Sequence, residues 1–144
     1  MKVFVLDANV ALRLLLADDP AQSPKARALF TLAEKGAVAL RLSHVTVAEL
    51  VWVLTAHFEF ERVLVAEKIR ELALHDGIEI AGVNMVLDAL DRFARTTSVD
   101  FPDCYAAACG RHDACAVTSY DRDFRKFTDV VTRTPDDILK ELAK

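Results

Sequence analysis

A chain of 144 residues, 53% of them hydrophobic, suits one domain with one core and carries ample material to fill it. Its apolar runs fall far short of the ~20 residues a membrane-spanning helix needs. No small-residue cleavage site follows the first residues, so a cytoplasmic protein without membrane anchor or secretory leader is expected. A formal net charge of −4 argues against a broad basic surface as the source of nucleic-acid affinity. Clustered acids with bound cations can nonetheless face phosphate.

Val3 to Leu6 form a continuous apolar run that reads as a short strand covered on both faces and ending at Asp7. Helical spacing follows through Ala11, Leu12, Leu14, Leu15 and Leu16, and Asp18-Asp19-Pro20 breaks it. Ser23-Pro24 reads as an N-cap followed by proline at the first helical position, and Gly36 as that helix's end. Ala37–Leu42 predicts a second buried strand. A helix from Val47 to about His57 is apolar nearly all round, which suits burial or a partner interface. Val63–His75 and Val83–Arg95 predict amphipathic helices, with a short strand over Ile78–Ala81 between them. After the polar loop from Thr96 comes an alanine-rich helix with Asp103 in its first turn. Cys115–Ser119 and Val130–Thr132 predict the last strands, and Pro135 opens a C-terminal helix.

Strands alternating with helices predict an α/β fold: a three-layer α/β/α sandwich, with four or five mostly parallel strands in a central sheet, as a single domain over residues 1–144. Cys104, Cys109 and Cys115 lack C-x-x-C spacing and lie near alanines, so they read as three buried small apolar side chains.

Four acids occupy comparable places. Asp7 follows the first strand, Glu49 lies in the helix after the second, and Asp103 begins the helix before the strand at Cys115, which Asp121 follows. In a parallel sheet with right-handed crossovers all strand exits share one edge, so these carboxylates can converge. Each has a plainer reading: Asp7 as an N-cap, Glu49 as an exposed first-turn acid complementing the helix dipole. Gathered carboxylates repel unless some are protonated or a cation sits among them. Oxygen-only ligands favour hard divalent ions, Mg²⁺ or Mn²⁺, and such ions serve phosphoryl transfer. His44, His57, His75 and His112 show no pair at zinc-ligand spacing, and His44 reads as a loop residue.

Val5-Leu6-Asp7-Ala8-Asn9, Val47-Ala48-Glu49-Leu50, Asp100-Phe101-Pro102-Asp103 and Thr118-Ser119-Tyr120-Asp121-Arg122-Asp123-Phe124, in that order, resemble the motifs of the PIN domain and more narrowly of VapC-type toxins. The resemblance spans essentially the whole chain. It implies a metal-dependent endoribonuclease in which Asp7, Glu49, Asp103 and Asp121 are the acidic quartet holding Mg²⁺ or Mn²⁺. Asp100 is then a further candidate ligand, Asn9 and Ser119 are residues that steady the site, and Asp123 is a loop residue outside the quartet. It also implies a homodimer and a VapB-type antitoxin peptide as partners, besides the RNA substrate. Arg13, Arg41, Arg122, Arg125 and Lys126 flank the predicted strand exits and are candidates for holding RNA. Two rival readings follow from the same residues. One is a catalytically inactive PIN-like binding module. The other is an Asp-dependent phosphatase or phosphoacceptor, against which Asn9 stands where the phosphatase motif has a second Asp.

Overall fold

The computed structural model describes residues 1–144, in two units, Met1–Val83 and Asn84–Lys144. In the first unit β1 (Lys2–Val5) leads into α1 (Ala8–Leu16) and α2 (Gln22–Glu34). Strand β2 (Val38–Arg41) is followed by α3 (His44–Trp52), a π-helical turn (Val53–His57), α4 (Arg62–Ala73) and β3 (Ile78–Glu79). The strands form one parallel sheet in the order β1-β2-β3. The carboxyl ends of parallel strands therefore share an edge, where Leu6 N–H extends the ladder to Arg41 O at 2.8 Å.

Strand β2 meets the expectation of a strand buried on both faces, since Ala39, Leu40 and the following Leu42 are all buried. Strand β1 does not. It is an edge of its sheet, and Val3, Phe4 and Val5 are exposed, with only Leu6 sealed in. Apolar continuity alone does not separate an edge strand from a central one.

The start of α2 also differs from the Ser23-Pro24 cap reading. The Asp19 carboxylate accepts from the N–H groups of Ala21 and Gln22, at 2.9 and 2.8 Å, and so satisfies the first donors of the helix. Ser23 lies inside the helix, buried, and donates its hydroxyl to Arg13 O at the end of α1 at 2.8 Å. At the far end of α2, Gly36 takes φ +81°, a conformation that glycine tolerates best. A Cβ on Gly77 would lie 2.4 Å from the Ala33 Cβ, so the turn before β3 rests directly on α2.

The second unit carries all but the first residue of α5 (Val83–Arg95), then α6 (Phe101–His112), β4 (Val117–Thr118), a 3₁₀ turn (Arg122–Lys126), β5 (Thr132–Arg133) and α7 (Pro135–Leu142). Its two strands are parallel. Within each sheet, one of three strands and one of two, every pairing is parallel, as the α/β reading requires. Helix α7 opens with a reciprocal cap between Thr134 and Asp137. A Cβ on Gly110 would stand 2.9 Å from the Cys115 carbonyl oxygen, so the end of α6 touches the turn before β4. The cysteines are free, and only Cys104 is fully buried. Cys109 is half-buried, and Cys115 is exposed because it lies in that turn rather than in the strand. No helix is long and apolar enough to cross a membrane.

Candidate metal centre

In the first unit Asp7 sits just past β1 and caps α1, its Oδ2 accepting the Asn9 N–H at 3.1 Å. The cap reading thus describes Asp7, and the side chain stays exposed at the carboxyl edge of the sheet. It is the Asn9 backbone, not its side-chain amide, that makes this bond. Ser43 caps α3 at the same edge, accepting the Thr46 N–H at 3.1 Å. Glu49 lies beyond the first turn of α3, so it is not the dipole-complementing acid of the plainer reading. It is exposed and shares a helix face with Val45 and Trp52, which are 78% and 66% exposed. The opposite face buries Val47, Leu50, Val51 and Leu54. The helix expected to be apolar all round therefore has one face in the core and one apolar face outward. His44 is the first residue of α3 and its Nε2 hydrogen-bonds the Ala81 carbonyl.

In the second unit local bonds build the acidic loop. The Ser119 hydroxyl accepts the Asp121 N–H at 2.9 Å, and Asp121 Oδ1 accepts the Asp123 N–H at 2.8 Å. These hydroxyl and Asx turns coil the chain immediately after β4, which Ser119 N–H extends to Arg133 O. The coil swings Asp123 toward α6. There Asp103 stands in the first turn, behind Pro102 and the N-cap residue Asp100. One carboxylate oxygen from each of Asp103, Asp121 and Asp123 falls within 4.8 Å of the others. Asp123 is the member that sequence reasoning left out, although Asp-x-Asp at a strand exit could have signalled it.

The electrostatics follow from that crowding. Burial first, then the charges of Asp121, Asp100 and Asp123, holds the Asp103 carboxyl above its ordinary value. Asp100 is outside the trio but close enough to act on it. Lys126 answers part of the charge, its Nζ lying 3.4 Å from Asp123 Oδ1 while it donates to the Ser98 hydroxyl at 2.8 Å. The trio fits a hard divalent ion. Ligand distances of ~2.0–2.6 Å allow two oxygens on one ion to be up to ~4–5 Å apart, and all the donors are carboxylates.

The candidate RNA-holding cations are placed differently from one another. Arg13 lies in the last turn of α1 and pairs with Asp18 at 3.1 Å, and Arg41 pairs with Glu79 at 3.2 Å. Arg122 and Arg125 are exposed on the 3₁₀ turn that carries Asp123.

A family model described as PIN domain matches residues 4–130, a span that takes in both units. No curated protein matches the chain.

Proposed function

The chain belongs to the PIN domain family, and from that premise we propose that it is a Mg²⁺- or Mn²⁺-dependent endoribonuclease, the toxin of a VapC-type toxin–antitoxin pair. PIN domains are in general metal-dependent nucleases. The observation that carries the reading here is the trio Asp103, Asp121 and Asp123, with oxygens close enough to share one ion. When bound, a divalent cation supplies charge neutralisation at the attacked phosphate and lowers the pKa of a water.

The residues divide the remaining work. Asp103 and Asp121 hold the ion, with Asp123 beside them and Asp100 adding to the local negative potential. Ser119 and the Asx turn keep Asp121 and Asp123 in place before any ion arrives. By motif order Asp7 serves the same reaction as a ligand, and Glu49 as a ligand or as the base that orients the attacking water. Arg122 and Arg125 steady the phosphates that flank the cut, against an otherwise acidic chain. The exposed Val45 and Trp52 support an apolar surface for a partner, a second copy or a VapB-type antitoxin peptide. Residues 1–144 act as one domain in the cytoplasm.

Incubating the purified protein with RNA and Mn²⁺ tests the reading. Cleavage is expected to stop with EDTA and to fall at least about a hundredfold in Asp7→Asn and Asp103→Asn variants that still fold. Cleavage that survives EDTA, or an Asp103→Asn enzyme of full activity, sinks the metal-dependent mechanism. Mn²⁺ binding without cleavage favours the binding-module alternative.

A further inference from the structure

Arg92 is a charged residue that the proposed chemistry does not use, yet it is 5% exposed in the last turn of α5. Its guanidinium is held on two sides. Nε and Nη2 reach Asp88 Oδ1 and Oδ2 at 2.9 and 3.3 Å, one turn back on the same helix. Nη1 and Nη2 reach Asp129 Oδ1 and Oδ2 at 2.8 and 2.6 Å, across to the segment that follows the 3₁₀ turn. The guanidinium carbon also stands 5.3 Å over the Phe127 ring. A buried ion pair is a poor route to stability, because desolvation offsets most of the attraction. What a planar guanidinium provides that an ammonium or an apolar side chain does not is orientation, through two parallel bonds to one carboxylate.

The segment it orients is the one that bears the acids. From Asp129 the chain is tied back through Val130 N–H to Phe127 O and through Phe127 N–H to Phe124 O. Phe124 and Phe127 are buried, ring edge to ring face. That leads to the turn whose first residues are Arg122 and Asp123, capped by Asp121. Ser119 fixes the segment at one end and Arg92 at the other.

We propose that Arg92 is a positioning residue for the metal centre: by gripping Asp129 it holds the 121–127 segment so that Asp121 and Asp123 meet Asp103. The inference rests on the metal-dependent reading above. Groups that orient metal ligands, without touching the metal, commonly change affinity 10–100-fold when removed.

The test compares Mn²⁺ affinity, by calorimetry on the full chain, in wild type, Asp129→Asn and Arg92→Lys. Amide hydrogen exchange without metal is measured in parallel. Asp129→Asn removes the charge and one of the two parallel bonds at the loop end and leaves Arg92 its Asp88 partner. Arg92→Lys keeps the charge but removes the fork. Both are expected to weaken Mn²⁺ about tenfold, and to speed exchange at the Asp123 and Phe127 amides while that of α6 stays unchanged. A folded Asp129→Asn protein, or a folded Arg92→Lys protein, that binds Mn²⁺ as tightly as a binding wild type overturns the positioning role and leaves the nuclease reading standing. A wild type that binds no Mn²⁺ overturns both.

Discussion

Two groups of aspartates in the second unit show opposite solutions to the same problem. Around Arg92, Asp88 and Asp129 share a buried guanidinium, with His112 and Arg111 at 3.2 and 3.7 Å on the outside. The hydrogen bonds from Arg92 hold the Asp129 carboxyl below its ordinary range. At the other group Asp103, Asp121 and Asp123 meet only a lysine at the margin, and Asp103 is pushed the opposite way. Acids that the chain itself neutralises serve its architecture. Acids left to repel one another store an affinity for something from outside, and three oxygens at this spacing suit a cation.

The contrast can be broken most forcefully at Arg92. Arg92→Ala leaves Asp88 and Asp129 without their shared partner and opens the space under Phe127. A loss of about 2–4 kcal/mol in urea unfolding is expected, less than for a fully buried pair because Asp129 is half exposed. Next in size is the cation itself. Mn²⁺ at a hundredfold its Kd is expected to stabilise the wild type by about 2.7 kcal/mol, seen as a rise in Tm that Asp103→Asn abolishes. Without metal the same Asp103→Asn substitution should act in the stabilising direction, because it removes repulsion, raising Tm by about 1–3 °C in EDTA.

The smallest effect is the pH dependence, and its sign separates the two groups. Asp129 has a lowered folded pKa, so its stabilising contribution is present above the unfolded value and is lost as pH falls through the folded one. Asp129→Asn should therefore flatten the acid limb of stability against pH. Asp103 has a raised folded pKa, so its contribution is present below the unfolded value and is lost as pH rises through the folded one. Asp103→Asn in EDTA should remove that decline. Titrations in which both variants change the curve in the same direction would erase the distinction.

Much of this was legible from residues alone. Hydrophobic spacing located every helix and all five strands to within a few positions, because periodicity is dictated by which face is buried. The ordered motifs located the family. What escaped was set by partners distant in sequence or by competition between near neighbours. Arg92 lies on a helix whose polar residues would ordinarily face water, and its partner Asp129 is 37 positions away. Asp123 looked like loop because its place among the acids depends on two consecutive side-chain-to-backbone bonds. Ser23 was an apt cap, but Asp19 starts the helix earlier in the chain by accepting the Ala21 and Gln22 N–H groups.

The contact at Gly110 is the tightest in the second unit for a glycine. Helix α6 presses there on the turn before β4 with clearance for a hydrogen atom and nothing larger, while Asp103 sits about 10 Å along the axis. A methyl group added there would stand 2.9 Å from the Cys115 oxygen and 3.0 Å from the Val117 side chain, so the helix or the turn would have to give way. A bare backbone at residue 110 is what allows the helix bearing Asp103 to lie this near the strand that leads to Asp121.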